Sequence, residues 1–200
     1  MVFQTVLVTL LNKMIWSMMK FFKNIFVMGI SSLTLISCST PKVQDYVGQQ
    51  PTLDLSEYFN GVIDAHGIFT DRSGKVIKRF KVVMDAKWRV VDGKKVGVLD
   101  ESFTYSDGVK QKRVWTLTEV SPGKYSGVAD DVVGGALGEV GGNALNWTYT
   151  LALPVDGTVY NVQFDDWMYQ MDEHVMLNKA KMSKFGFYLG EVTLAFYKRH

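Results

Sequence analysis

The chain of 200 residues is 47% hydrophobic and 21% charged, with 18 Gly, 4 Pro and a single Cys. This composition excludes an intrinsically disordered chain, a collagen-like repeat and a small disulfide-stapled fold. Three of the 22 basic side chains lie in residues 1–37, which hold no acid, so 19 basic side chains remain against 20 acidic ones. This near balance argues against nucleic-acid binding.

The N-terminal region has the layout of a secretory signal peptide. A basic head at Lys20 and Lys23 precedes an apolar run over residues 25–36, and small residues follow. The four residues that end at Cys38 (LISC) resemble the lipobox of bacterial lipoproteins, in which the chain is cut before the Cys and its sulfur carries a diacylglyceryl group. The alternative, an uncleaved membrane helix, needs about 20 apolar residues, more than this run offers.

The same N-terminal region predicts how the chain is divided and where in the cell the protein is located. Residues 1–17 precede a signal of normal length, and Met14, Met18 and Met19 offer later start codons. We therefore divide the chain into a signal peptide (1–37, with 1–17 a mis-annotated start), an acylated Cys with a tether (38–57) and one domain (58–200). Ser39 rather than an Asp follows Cys38, a pattern that in similar lipoproteins favours the periplasmic face of the outer membrane.

Residues 59–198 alternate between strands and tight turns. Turn signals recur at residues 71–74, 92–93, 107–108, 121–123 and 156–157, a spacing typical of antiparallel hairpins. We predict eight or nine strands near residues 60–70, 75–89, 95–105, 109–120, 124–130, 145–154, 158–170, 172–182 and 186–198. Apolar residues occupy every second position in several of them, which predicts one buried and one solvated face.

The predicted fold class is all-β, an antiparallel meander that closes into a lipocalin- or calycin-like barrel. A sheet this wide curls, and closure removes its exposed edges. A barrel of about eight strands can be filled by side chains or can hold one small ligand. An open sandwich is the alternative. Charged residues on the solvated faces leave no continuous lipid-facing band, so a membrane-spanning barrel is rejected.

Three charged residues share a face with apolar neighbours and are therefore predicted to point inward: Glu101, Arg113 and Asp166. Buried ions need partners, so we expect Arg113 to bridge Glu101, Asp166 or both. One interpretation is an ion pair that fixes strand register. The other is a ligand site in which Arg113 binds an anionic head group such as a fatty-acid carboxylate, lined by Trp88, Trp115, Trp147 and Tyr149. Glu191 is a further inward candidate.

Two other clusters have weaker chemical meaning. Glycines at 134, 135, 138, 141 and 142 match neither a P-loop nor a Rossmann motif and indicate either an irregular segment, with a short helix capped by Asp130 or Asp131, or a lid. An acidic cluster ends at His174, but Asp165 and Asp166 are adjacent and point to opposite faces of a strand. The remaining members read as a solvated turn. We predict no catalytic residue, no metal site and no cofactor.

Six segments taken in order resemble one lipoprotein family, the domain of unknown function 3833. They are DESFTYSDG (100–108), RVW (113–115), GVADDVVG (127–134), GNALNWTY (142–149), DDWMY (165–169) and LNKAKMSKFGFYLGEVTL (177–194). The resemblance implies a single-domain envelope lipoprotein of Gram-negative bacteria, with no assigned reaction. Family genes tend to lie near enzymes that modify fatty acids, which directs the ligand prediction toward lipids.

These observations lead to one functional prediction and two alternatives. We expect a monomeric, lipid-anchored envelope protein whose barrel binds or shields a hydrophobic or amphipathic, fatty-acid-like ligand, with the membrane as its partner through Cys38. The first alternative is a structural or interaction protein with a filled barrel. The second is a hydrolase or isomerase that uses Asp166, Glu101 and His174, which requires those three side chains to converge on one cavity.

Overall fold

The computed structural model describes residues 40–155 and 157–200, and the predicted signal peptide and Cys38 lie outside these residues. Ten strands form the domain. They are β1 (Gly61–Asp71), β2 (Val76–Val91), β3 (Lys94–Tyr105), β4 (Lys110–Ser121), β5 (Lys124–Val128), β6 (Ala136–Gly141), β7 (Ala144–Val155), β8 (Thr158–Gln170), β9 (Val175–Lys184) and β10 (Phe187–Lys198). A 3-10 helix (Val43–Tyr46) and a one-turn helix α1 (Leu55–Tyr58) precede them.

The ten strands form a closed antiparallel barrel in which β1 pairs with both β2 and β10. The all-β meander and its closure are confirmed, and the open sandwich is not found. The strand count of eight or nine is wrong by one, because β6 lies in the glycine-rich segment that we predicted to be irregular or helical. Its six residues, three of them apolar and two Gly, leave too short a pattern to distinguish a strand from a loop.

Side chains alternate between the two faces of each strand, and this alternation places the apolar ones inside the barrel. Along β2 every second residue from Phe80 to Ala86 is buried, and along β7 the inward side chains run from Leu145 to Leu153. These inward residues join those of the other strands in one continuous core. The predicted alternation of buried and exposed faces is confirmed on both strands.

Aromatic rings inside the barrel lie against glycines on the neighbouring strand. Trp88 pairs with Gly97 across β2 and β3, and Trp147 pairs with Gly138 across β6 and β7. A Cβ atom added to either glycine would meet the indole ring at less than the closest distance of real contacts. The missing side chains therefore let these rings lie flat along the wall.

The segment before β1 is packed, not free. Val43 lies outside the barrel against Ala144 and Trp167, and Gly141 and Gly142 approach the backbone of this segment so closely that a side chain would not fit. The chain then crosses the rim, where the Leu53 amide donates to the Gly142 carbonyl at 2.9 Å. The tether predicted over residues 38–57 is thus wrong from Val43 onward.

Helix α1 and Phe59, which we together call the plug, close one end of the barrel, the closed end. Leu55, Tyr58 and Phe59 are buried in the main core, and Asp54 caps the helix by accepting the Ser56 amide at 2.7 Å. The Trp88 Nε1 donates to the Phe59 carbonyl at 2.7 Å, which ties the plug to β2. Neither helix among the described residues is long and apolar enough to span a bilayer.

Candidate ligand-binding site

The barrel encloses a cavity of about 430 Å³, within the size range of small-molecule sites. Its walls are mostly aromatic and aliphatic, with Trp115, Trp147 and Phe164 among them. Tyr149 stacks on Phe164 at a ring separation of 4.9 Å and meets Trp115 edge-on at 5.5 Å. The filled barrel of the first alternative is therefore not found.

The cavity runs from the plug to the opposite end of the barrel, which we call the open end. Leu55 and Phe59 form its floor. At the other end it is lined by Gln111 and Pro154, both of which are also exposed to solvent. These residues lie next to the turns that join β3 to β4 and β7 to β8, so a ligand can enter between those turns.

An ion pair lies on the cavity wall between Arg113 and Asp131. The Arg113 Nε is 3.1 Å from both Asp131 carboxylate oxygens, and its Nη2 donates to Oδ2 at 2.7 Å. This bidentate pairing differs from the expectation that Arg113 bridges Glu101 or Asp166. Glu101 lies directly opposite Arg113 across β3 and β4 but forms no ion pair within 4 Å among the described residues.

Asp131 lies in the segment between β5 and β6, which brings its carboxylate to Arg113 on the cavity wall. Residues 129–135 carry no helix, which corrects the predicted capping role of Asp130 or Asp131. The segment is bound to β7 instead: the Val133 amide donates to the Thr150 carbonyl, and the Ala152 amide donates to the Asp131 carbonyl. The ion pair holds the other side of the segment to β4.

Asp166 forms the second polar group of the cavity. Its side chain is buried and accepts hydrogen bonds from the Asn178 amide and the Tyr149 hydroxyl. Its neighbour Asp165 points outward and accepts from Asn146 Nδ2 at 2.7 Å, as predicted from strand alternation. We refer to Glu101, Arg113, Asp131, Tyr149 and Asp166 together as the polar cluster.

Burial dominates the electrostatics of the polar cluster. It raises the pKa of Glu101 to about 7, although the nearby Arg113 charge opposes the shift. It also raises the pKa of Asp166 to about 7, opposed by the Asn178 hydrogen bond. At Arg113 burial is the largest single effect and lowers the pKa, but the Asp131 hydrogen bond and the neighbouring negative charges together outweigh it, so the pKa is raised and the guanidinium stays charged. Above about pH 7, where Glu101 and Asp166 are ionised, the cluster offers more acceptors than donors, because its one cation is already paired.

Six of the seven predicted lining residues face the cavity. They are Glu101, Arg113, Asp166, Trp115, Trp147 and Tyr149. Trp88 is not among the lining residues, because it packs between Gly97, the plug and Tyr125. Glu191 faces outward and lies 3.3 Å from Lys179 Nζ. A register shift in β10 between Tyr188 and Gly190 breaks the alternation on which its inward assignment rested.

The three residues of the hydrolase alternative do not converge. Glu101 and Asp166 line the cavity, but His174 lies in the β8–β9 connection, 4.4 Å from the His200 ring. Asp172 caps that connection by accepting the His174 and Val175 amides, which confirms the predicted turn. In the described part of the chain no group of three or more His, Cys, Asp or Glu is placed to hold a metal ion.

Sequence reasoning missed several cavity residues. Asp131 lies in an irregular segment, where no alternation tells which way a side chain points. Asn178 follows the inward parity of β9, between the buried Met176 and Ala180, so that signal was available. Gln111 is at the open end and accepts the Tyr105 hydroxyl at 3.0 Å.

The fold and the cavity define a calycin-like barrel of the lipocalin type. An S-type phycobiliprotein lyase, CPES from Guillardia theta, has a similar structure, with a TM-score of 0.50 and 8% sequence identity over 80% of this chain and 99% of the lyase. At this identity the likeness shows the fold alone. A family model described as a protein of unknown function (DUF3833) matches residues 32–198, so the chain belongs to that family. No curated protein matches the chain.

Proposed function

We propose that this protein binds an amphipathic molecule with a long apolar part, such as a fatty-acid-like chain, inside its barrel. The observation that carries the proposal is a mainly apolar cavity that is open at one end and has the polar cluster in its wall. The apolar part of the ligand lies along the aromatic walls, and its polar end meets the polar cluster. Burial of the ligand's apolar part supplies affinity, and the polar cluster fixes the ligand's orientation.

The polar cluster favours a ligand whose polar end donates hydrogen bonds. The guanidinium fork of Arg113, expected to bind a carboxylate, is already occupied by Asp131. Glu101 and Asp166 add two carboxyl groups that repel an anion when ionised. A fatty alcohol or amine therefore complements the cluster better than a fatty-acid anion.

This selectivity is tested by titrating the protein with an alcohol, an amine and an acid of equal chain length, with tryptophan fluorescence as the readout. Above neutral pH we expect the amine and the alcohol to bind about tenfold more tightly than the acid, since a charge-assisted hydrogen bond contributes about 1.5–3 kcal/mol. Asp131→Asn frees Arg113 and should improve acid binding. Outward-facing Asp165→Asn is the matched control.

Failure of all three ligands to bind would overturn the proposal that the barrel binds an amphipathic molecule. Preferential binding of the acid by the unaltered protein would instead overturn only the assigned polarity of the ligand. Mass spectrometry of molecules that co-purify with the protein gives an independent identification.

We further propose that the protein is anchored in the cell envelope by acylation of Cys38, at the periplasmic face of the outer membrane. The lipobox-like residues that end at Cys38 support this, as does the solvent exposure of Thr40, two residues further along the chain. Cys38→Ser should move the protein from the membrane fraction to the soluble fraction on cell fractionation. Retention in the membrane fraction would contradict the anchor.

A further inference from the structure

The turn between β9 and β10 displays large apolar side chains to solvent beside the mouth of the cavity. Phe185 is 80% exposed and Phe187 is 49% exposed. Val159, at the start of the neighbouring strand β8, is 62% exposed. Single exposed apolar residues are common on protein surfaces, but a cluster around a cavity mouth marks an interaction site.

The backbone at Phe185 makes this exposure more unusual. The two-residue turn Phe185–Gly186 has positive φ at both positions, +51° and +78°, which is the geometry that favours Asn-Gly. A bulky aromatic residue is disfavoured there, and burial does not compensate for it. Folding alone gives no reason for phenylalanine at this position.

Basic side chains accompany the apolar ones. The Lys184 ammonium lies 4.8 Å from the centre of the Phe185 ring and 4.9 Å from that of Tyr160. Strand β10 pairs with β1 at Gly190 and Asp71, which places the β1–β2 turn, with Arg72 and Lys75, next along the same end of the barrel.

The acidic side chains of the β1–β2 and β3–β4 turns are engaged locally. Asp71 accepts the amides of Ser73 and Lys75, at 2.8 Å and 3.1 Å. Asp107, on the β3–β4 turn, forms an ion pair with Lys78 at 3.1 Å. Lys184 itself is buried, so the accessible charge lies on the described residues of the β1–β2 turn, where two exposed cations, Arg72 and Lys75, face one acidic side chain, Asp71.

We propose that the open end of the barrel docks onto the surface of an anionic lipid bilayer, with Phe185 and Phe187 inserted among the lipids. The exposed Arg72 and Lys75 side chains complement anionic head groups, and the aromatic side chains supply apolar area. The exposed side chains project from the β9–β10 turn and from the start of the adjacent strand β8. A deformable bilayer accepts such projecting side chains more readily than a rigid protein surface does. If the proposed function holds, docking also gives an apolar ligand a path that avoids water.

The test uses residues 40–200, which carry the strands, helices and core that the structure describes, and cooperative thermal unfolding first establishes that this chain folds on its own. This chain lacks Cys38, so its binding reports the barrel alone. Co-sedimentation is measured with vesicles of phosphatidylcholine and phosphatidylglycerol in equal parts, and with vesicles of phosphatidylcholine only. We expect binding to the mixed vesicles that weakens with added salt.

Phe185→Asn is the informative variant. Asparagine suits the turn better than phenylalanine, so thermal stability should be kept or raised while vesicle affinity falls at least about tenfold, given the area of one buried aromatic side chain. Leu137→Asn is the matched control, because Leu137 is 68% exposed on β6, away from the mouth. Its vesicle affinity should equal that of the unaltered protein.

Three results would overturn the proposal. They are no binding of the unaltered chain to mixed vesicles, equal losses for Phe185→Asn and Leu137→Asn, and a dimer in solution that Phe185→Asn dissociates, since a second copy would then cover the rim. Ligand titration does not depend on vesicles, so loss of docking and loss of ligand binding are separable.

Discussion

The side chains of the polar cluster show how far strand alternation can predict a site. Glu101, Arg113 and Asp166 were placed inside by parity alone, and all three line the cavity. The partner of Arg113 was not predictable, because Asp131 lies in a segment without regular periodicity. Parity also failed at Glu191, where a bulge inverts the pattern. Alternation is reliable within an uninterrupted strand and uninformative beyond its ends.

The raised pKa values of Glu101 and Asp166 predict how stability depends on pH. The folded state holds each proton up to about pH 7, whereas the unfolded state releases it near the ordinary values of 4.5 and 3.8. The folded state therefore binds more protons, and the free energy of unfolding falls as pH rises from about 4 to about 7. Above that window the deficit stays constant.

Replacing both carboxyl groups should remove this dependence. We expect Glu101→Gln with Asp166→Asn to be more stable than the unaltered protein above pH about 8, by on the order of 1–3 kcal/mol, and to match it near pH about 4. Urea unfolding at both pH values measures the difference. Glu173→Gln, at a glutamate that is 86% exposed, is the control. Equal stability at both pH values would show that the two groups are not held protonated by the fold.

At the level of elements, the hairpins were predictable and the plug was not. Turn residues between alternating strands carry a strong local signal, and nine of the ten strands follow it. The plug has no such signal, since helix α1 has only four residues and is held by tertiary contacts. Strand β6 was missed for a related reason: its glycines are required by tertiary neighbours, Gly138 by Trp147 across the β6–β7 hairpin and Gly141 by Val43, which is distant in sequence.

The plug should nonetheless contribute strongly to stability. Phe59 is 3% exposed and meets the rings of Tyr58 and Phe196 edge-on, at 5.1 Å and 5.8 Å. Phe59→Ala should lower the free energy of unfolding by about 3–5 kcal/mol, the usual effect of such a truncation in a core. Chemical denaturation measures it. Val47→Ala, in the same segment but 71% exposed, should change stability by less than about 0.5 kcal/mol. Similar effects of the two variants would mean that the plug is not part of the core.

At the scale of the whole molecule, closure was predictable and the hollow interior was not. Closure follows from strand number and from the cost of exposed sheet edges. Whether a barrel is hollow depends on where each ring lies. Trp88 and Trp147 lie flat over Gly97 and Gly138, so an interior rich in aromatic residues still leaves about 430 Å³ empty. Composition cannot reveal this, because the same residues in other rotamers would fill the space.

The point at which the N-terminal segment joins the barrel distinguishes the two ends of the molecule. The segment from Thr40 to the plug reaches the domain at one pole, and the cavity opens at the other, roughly 30 Å away for tilted strands of this length. A group attached to the chain ahead of Thr40 is therefore joined to the closed end of the barrel. If the proposed function holds, a ligand enters and leaves at the open end, so the membrane or protein that exchanges it must approach from the side opposite to the attachment.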